Sequence, residues 1–600
     1  LDKNTVIGFT LIFFLMIGWF YFTMPSEEEL AQQRREQAIQ DSVAQVEQQQ
    51  QLEEDILTEA DTYTPEQTIE EPEQEAATPS GVFATGQDSV VKEFVIETEL
   101  YRATFTNKGA GPSQFMLKTH NTWDGNPVRL IEDTTRSAYN TGFLTTENYN
   151  IDTQNLTFSQ VTLGSSFTVA EGDSKELSYV LDLGDSRQMM YTYTFYGDNY
   201  EVDLDIRFVG VRDLIIGRVV DFGFNSPLRF TEKDRTQEAL GTAAYLYAGG
   251  ELEQLKVKDP EENDGYEEMN VSGDIEFVST RTKFFAQLIQ PITSTEGAIL
   301  SGEINGPADD PLTDHHYTAA VTSDIPDDGV VSFQLYMGPM KYYDMKGFNE
   351  HAFDMVEVGY GWLRWFSDPF VRFVVIPFFT FFSGFISNYG ILIIIFAASV
   401  KLILSPLTIK SYRSMAAMRE LSPQMKEIQE KYKDNPQKQQ KATMDLYRKN
   451  KVNPLGGCLP MLLQFPILIT LWRFFQNSIL LRQETFLWVS DLSAPDYIIN
   501  LPFSIPFLGD QIAGLVILMA ASMMLQSKVS SANSSSAGGS NPMAQQMKVM
   551  QYFLPIMLLF VFNNFASGLS LYYLIFNLLS IVQQLYINKT THDKAVATTS

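Results

Sequence analysis

One cysteine, Cys458, in 600 residues excludes an intramolecular disulfide framework and any multi-cysteine metal site within one chain. The chain contains no HExxH, GxxxxGK(S/T) or GxSxG, so no sequence argument exists for zinc proteolysis, nucleotide hydrolysis or a serine hydrolase. Histidine is scarce too, with 5 in total. The only clustered potential metal ligands are Asp314, His315 and His316, with Asp309 and Asp310 nearby. They lie in a Pro/Gly-flanked stretch with no distant partner, and a metal site needs three or four convergent ligands. A solvated turn is the expectation there. No catalytic residue, metal or cofactor is expected.

Positive charge is sparse in the first 360 residues, which carry 23 Lys+Arg against 62 Asp+Glu, a net of −39. Residues 361–600 carry 20 against 11, a net of +9. The formal −30 of the whole chain therefore averages two different materials. A single uniform globular fold is excluded, and the length allows several domains.

Apolar runs near the ~20 residues that a helix needs to cross hydrocarbon recur through the second half. The expected spans are 388–409, 453–478, 511–527, 549–565 and 568–587. Thr5 to Met24 adds an N-terminal one. The segment 1–25 is too long for a signal-peptide h-region and lacks a small-x-small cleavage site, so an uncleaved anchor is expected. That makes six spans. Residues 346–387 differ, because Trp362, Arg364, Trp365, Asp368, Arg372 and Pro377 are mixed with many Phe. That pattern suits an interfacial amphipathic helix.

The loop 410–452 sets the orientation. Its residues 410–451 hold 11 Lys/Arg and 5 acids, which places it in the cytoplasm by the positive-inside rule. Both termini, with the tail 588–600, are then cytoplasmic, and residues 25–360 lie outside. The acidic loop 479–510 also falls outside.

Residues 26–80 are rich in Glu and Gln and read as an acidic tether. Residues 81–345 change to short alternating runs: Glu93–Phe105, Phe167–Leu183, Met190–Phe195, Val202–Val209 and Val330–Tyr336. Gly, Asn, Asp and Pro punctuate them, which predicts an antiparallel β-sandwich.

Within the spans the informative residue is Lys401, inside ILIIIFAASVKLIL at 391–404. A cation at the centre of a span costs roughly 2.5–3.5 kcal/mol on insertion scales. It is a functional candidate, with snorkelling to the cytosolic headgroups as the alternative. Gln464, Asn563, Asn564, Tyr572, Tyr573 and Asn577 are further polar groups at membrane depth. Together they suit a wet cavity, and singly they suit interhelical hydrogen bonds. The cytoplasmic loop reads as a helical hairpin: Ile409–Lys433, a turn at Asp434-Asn435-Pro436, then Gln437–Lys451. Its Arg413, Arg419, Lys426, Lys431, Lys433, Arg448 and Lys449 offer a docking surface for anionic lipid, ribosomal RNA or an arriving chain. Residues 528–548 form a Ser/Gly-rich cytoplasmic loop.

Four motifs in order carry a resemblance: Tyr360-Gly361-Trp362-Leu363, Ser405-Pro406-Leu407-Thr408, Asn453–Pro460 (NPLGGCLP) with Gln464-Phe465-Pro466, and Phe565–Tyr573 (FASGLSLYY). The chain resembles YidC, the bacterial membrane-protein insertase with relatives in mitochondria and chloroplasts. The resemblance implies a polytopic α-helical membrane protein with a five-helix insertase core and a periplasmic β-supersandwich domain of the Gram-negative form. It implies insertion and folding of newly made membrane proteins in the inner membrane, through a hydrophilic, positively charged groove. The implied partners are nascent membrane proteins, the ribosome, Sec translocon subunits and anionic lipids, with no DNA. Gly456 and Gly457, with Pro460 and Pro466, are expected to shape helix packing; lipidation of Cys458 is not expected mid-chain. The family usually has Arg where this chain has Lys401, and often large apolar residues where it has Asn563 and Asn564. A transporter or channel, or an anchored periplasmic carbohydrate-binding protein, stands as the alternative.

Overall fold

The computed structural model describes residues 81–599 apart from 87–89, 133–135, 258–264, 308–309, 311, 433–434, 451–458, 506–507, 532–552 and 554. The anchor, the tether, Gly456, Gly457 and Lys433 lie outside the described residues, as does most of the Ser/Gly loop.

Residues 93–339 form three sheets of nine, six and five strands. Alternation builds them. In Arg187–Tyr196, Met189, Tyr191, Tyr193 and Phe195 point inward while their neighbours stay half-exposed, which is the period-2 rule of a half-buried strand. The sheets interdigitate through aromatic rings. Phe222 of the six-stranded sheet stacks on Phe333 of the nine-stranded one at 4.6 Å between centroids. Phe105 of the five-stranded sheet meets Tyr193 edge-on at 4.9 Å. The buried Tyr191 hydroxyl donates to Thr141 at 2.5 Å, so the polar tip of that ring is satisfied inside the core.

Some strands differ from expectation. Glu93–Phe105 is two strands, Glu93–Glu97 and Tyr101–Thr106, because Thr98 Oγ1 accepts from the amides of Leu100 and Tyr101 and turns the chain. Phe167–Leu183 is likewise split into Ser166–Thr168 and Ser174–Gly184. Pairing is antiparallel except where Glu93–Glu97 runs parallel to Ser166–Thr168. The expected turn at 314–316 is corrected: His315 opens the strand His315–Asp324, is buried, and lies against the Phe230 ring at 5.8 Å.

Two short helices, α1 (Arg235–Gly241) and α2 (Tyr342–Phe348), accompany the sheets. The helical half follows. Residues 364–383 are three pieces: α3 (Arg364–Phe370), a π-helical turn Val371–Val375 and α4 (Ile376–Ser383). Pro369 and Pro377 remove backbone donors there, which favours such irregularity. Next come α5 (Tyr389–Glu420), α6 (Ser422–Lys431), α7 (Pro436–Lys449), α8 (Leu459–Asn477), α9 (Gly514–Ser531) and α10 (Ser567–Thr599).

The hairpin differs from expectation. Helix α5 runs on without a break to Glu420, and the restart is marked by Pro423 in the first turn of α6. The second arm begins as read, with Asn435 capping α7 through the amide of Lys438. Among the described residues, Gly361–Ser383, Tyr389–Ile409 and Ser567–Ile587 are long and apolar enough to cross a membrane, and Gly514–Val529 is a shorter apolar helix. These do not reproduce the expected count of six, and they include the segment read as interfacial.

Loop 479–510 contains a β-hairpin that alternation did not reveal, Tyr497–Ile505 paired with Gly509–Ala513. Asn563 clamps it. Its Oδ1 accepts from the Ala513 amide at 2.9 Å, while Nδ2 donates to the carbonyls of Leu508 at 2.9 Å and Gln511 at 2.7 Å. The loop also closes on the start of α10, where the Gly568 amide donates to Leu492 O at 2.9 Å. A Cβ at Gly568 would sit 3.0 Å from that carbonyl, so glycine permits the close approach.

The sheets and the helical half meet at a polar seam. Arg482, just past α8, donates to Glu232 Oε1 at 2.7 Å and to Asn121 O at 2.6 Å, with its side chain 2% exposed. Gln476 donates to Gln237 of α1 at 2.7 Å. Beneath them, buried Glu238 of α1 accepts from the amides of Thr231 and Glu232 and from the Thr231 hydroxyl. Desolvation outweighs those bonds and pushes the Glu238 carboxyl up to about 7.

Two outcomes follow. Asn563→Leu leaves three backbone groups of the hairpin without their partner, and should cost on the order of 2–4 kcal/mol, read as a lower thermal transition and faster proteolysis within 497–513. Glu238 has a folded pKa above its ordinary 4.5, so the folded protein holds the extra proton between the two values. Its contribution is present at low pH and is lost as pH rises through about 7, a loss of about 3 kcal/mol. Melting curves of wild type and Glu238→Gln should therefore diverge between pH 5 and 8, with the wild type losing more; parallel curves would reject it.

Candidate functional site

Helix α10 organises the helical half, packing along α5 and α9 and touching α8. Its inward residues follow the 3–4 spacing of one helix side. Tyr572, Phe576, Ser580 and Gln583 turn toward α5, and Asn577 turns toward α9.

Lys401 of α5 does not snorkel. It is 6% exposed, and Nζ donates to Ser580 Oγ at 2.6 Å. It also lies 4.7 Å from the centroid of Phe576, within cation–π range. Ser580 passes its own proton to Phe576 O at 2.7 Å, which leaves its oxygen lone pairs turned to the ammonium. Among the described residues no acid is bonded to Lys401, and the charge is met by a neutral oxygen and a ring face. One turn further along α5, Gln583 Nε2 donates to Ser405 Oγ at 2.7 Å and to Thr408 Oγ1 at 3.2 Å. The result is a polar strip between two apolar helices, on 401, 405 and 408 of one and 580 and 583 of the other.

Asn577 donates to Ser522 Oγ of α9 at 3.1 Å. Tyr572 and Tyr573 are buried, with ring centroids 5.2 Å apart. Tyr572 also faces Phe396 of α5 at 6.1 Å and Phe475 of α8 at 6.4 Å. Gln464 of α8, half-buried, approaches the Tyr573 hydroxyl. Lys401, Tyr572, Tyr573, Asn577 and Gln464 thus share the surroundings of α10.

Asn563 and Asn564 stand apart from this strip. They lie beyond the helix at 555–562, where Asn563 holds the hairpin and Asn564 Oδ1 accepts from the Tyr497 hydroxyl at 3.0 Å. Pro466 sits inside α8 and Pro460 in its first turn. In the helical hairpin α6–α7, Lys431, Arg448 and Lys449 are exposed. Arg413, Arg419 and Lys426 lie on helical backbone. The arms touch where Tyr447 donates to Met425 Sδ at 2.9 Å.

Ser522, Ser580 and Gln583 escaped the sequence reading, and Ser405 and Thr408 entered it only as part of a motif. Their signal was the spacing: polar positions recur three or four apart in apolar runs, at 401, 405 and 408 on α5 and at 573, 577, 580 and 584 on α10. Small hydroxyls alone are too common in membrane helices to stand out.

Two family models match. Residues 93–373 match the YidC periplasmic domain, and residues 381–594 match the 60Kd inner membrane protein. A membrane protein insertase YidC from Chlorobium phaeovibrioides is 36% identical over 599 residues, covering 99% of this chain and 96% of the relative. That of Chlorobaculum tepidum is 35% identical over 611 residues, covering 100% and 96%. A crystal structure of an active YidC insertase with its first transmembrane domain resolved is 20% identical, with a TM-score of 0.31 over 82% of this chain and 92% of that one. These full-length matches, on a β-rich domain joined to apolar helices around one buried lysine, establish that the chain belongs to the YidC family of membrane protein insertases.

Proposed function

We infer that Lys401 and the polar strip on α10 give the polar tail of a nascent membrane protein its way partly across the bilayer. The observation that carries this is the ammonium of Lys401, buried in a membrane-spanning helix and bonded, among the described residues, only to Ser580 and a ring face. A cation without a resident counter-ion is costly in such a place, so its retention points to a role with a visiting anion. The tail of choice is acidic. Tyr572, Tyr573, Asn577 and Gln464 extend the polar path, and Asn563 and Asn564 anchor its outer end by holding the hairpin. The substrate's apolar segment then moves into lipid, driven by burial of about 20 apolar residues. No covalent step takes part.

In the same reading the protein sits in the inner membrane with six spans, both termini cytoplasmic and residues 81–345 in the periplasm. Residues 410–452 form the cytoplasmic hairpin, whose exposed Lys431, Arg448 and Lys449 suit ribosomal RNA or anionic lipid. Arg413, Arg419, Lys426 and Lys433 add to that charge. Action alone or beside the Sec translocon is compatible with this arrangement.

The test is reconstitution of the full chain in proteoliposomes with a single-spanning substrate bearing an acidic N-terminal tail. Lys401→Ala should lower insertion roughly five- to thirtyfold, the equivalent of losing about 1–2 kcal/mol of tail stabilisation. Lys401→Arg should keep it, and a substrate with a neutral tail should be less affected. Full activity of the alanine variant at normal protein level overturns the role given to Lys401.

A further inference from the structure

The hairpin Tyr497–Ile505/Gly509–Ala513 is a two-stranded sheet of its own, and such a ribbon is marginal in water without a covered face. Here most of the exposed side chains are apolar, with Asn500 and Asp510 as polar exceptions. Ile498 is 56% exposed, Ile499 42% and Phe503 60%, and in the adjoining loop Leu487 is 74% and Trp488 49% exposed. Residues 497–505 contain no charged side chain, and the partner strand has only Asp510. Ile498 sits at a register shift between Tyr497 and Ile499, and both isoleucines are left exposed.

Water is a poor surrounding for that ribbon, and the chain path says what replaces it. Ala513 ends the second strand and Gly514 begins α9, with no residue between them. The first strand is tied to the other side by the Tyr497 hydroxyl on Asn564, just past the helix at 555–562. The hairpin is therefore fastened to the ends of two apolar helices, at the level where a membrane helix leaves hydrocarbon. Trp488 and Tyr497 present their rings outward and turn their polar tips inward, Trp488 Nε1 donating to Asp496 Oδ2 at 3.0 Å. Amphipathic rings of this kind concentrate at the headgroup level.

We propose that this hairpin is a membrane-surface anchor, its Ile498, Ile499, Phe503, Leu487 and Trp488 lying in the boundary between headgroups and acyl chains. The occupant of the apolar surface is lipid. The anchor holds the end of α9 at a fixed depth, and through Asn563 it holds the neighbouring helix end at the same depth. The inference rests on the membrane placement of α9 and not on Lys401, so the insertion assay and the following experiment fail independently.

The single cysteine makes the test direct. In a Cys458→Ser background, Ile498→Cys, Phe503→Cys and, as a water-exposed control, Leu163→Cys (Leu163 is 94% exposed on the β-domain) are labelled with bimane in the full chain and reconstituted in phosphatidylcholine vesicles. Nitroxide-bearing lipids with the quencher at the top of the acyl chain should quench the labels at 498 and 503 several-fold more than the label at 163. Aqueous iodide should show the reverse order. Labels at 498 and 503 as open to iodide as the control overturn the proposal. Labels shielded from both quenchers overturn it too, since they place a protein surface, a second copy or another chain, over the hairpin.

Discussion

A single ammonium group, that of Lys401, constrains the packing of the helical half more than any other side chain. It lies within a run of apolar residues, and an apolar neighbour would leave it unsolvated. The response is built on α10: Ser580 offers its oxygen at 2.6 Å and Phe576 its ring face at 4.7 Å. Those two contacts fix the rotation of α10 against α5, because positions 576 and 580 are one turn apart on the same side. Once that rotation is set, Gln583 meets Ser405 and Thr408, Tyr572 meets Phe396 and Asn577 meets Ser522 on α9. The polar strip is thus a consequence of seating one charge. Its ammonium remains weakly partnered, since neutral oxygen is a weaker partner for an ammonium than carboxylate.

The outer ends of the helices are governed by a different economy, in which backbone groups are bonded by side chains of distant segments. Asn563 spends its amide on three backbone groups of the hairpin. Asp496 Oδ2 accepts from the first-turn amide of α9, Leu515 N, at 2.8 Å and from Trp488 Nε1, an acidic group placed where a helix start favours it. Ser567 Oγ donates to Asp491 O at 2.9 Å. These bonds join loop 484–496, the hairpin and the starts of α9 and α10 into one layer. Rigidity there complements the strip around Lys401, where the contacts are few and polar.

The architecture was legible where one physical rule acts alone. Charge bias separated the two halves, alternation marked the β-domain, and the apolar run around Lys401 marked both a helix and its odd residue. Boundaries failed where two rules compete. Thr98 is β-branched and suits a strand, yet its hydroxyl turns the chain. The span 388–409 and the hairpin arm from Ile409 read as separate elements, yet α5 passes through Pro406 to Glu420, because the ring clash and lost bond are local and packing on α10 supports the helix on either side. The 497–513 hairpin was hidden because YIINLPFSI is largely apolar without strict alternation. Periodicity cannot tell such a run from the start of a span, and its specification comes instead from Asn563, some fifty residues further along the chain. The partners of Lys401 were hidden for the same reason, since a serine is informative only when the group facing it is known.

The division of charge between the two halves has a use at the place where they join. Three arginines from the helical half each find an acid from the preceding half: Arg372 pairs with Asp354, Arg473 with Glu357 and Arg482 with Glu232. Asn477 adds a bond from α8 to Glu357 O at 2.8 Å. An acidic domain and a basic core attract without direction, and that attraction alone would leave the domain free to roll over the core. Forked guanidinium groups supply the direction, because each aligns with its carboxylate in a limited set of orientations. Arg482 is the most constrained of the three, with its side chain 2% exposed and a backbone carbonyl, Asn121 O, as second acceptor. Burial on that scale makes the pair costly to break, because either member left alone is an uncompensated charge. Arg482 to Glu232 and Gln476 to Gln237 are thus the contacts that tie the end of α8 directly to the β-rich domain, while Asp354 and Glu357 bind the segment that leads out of it.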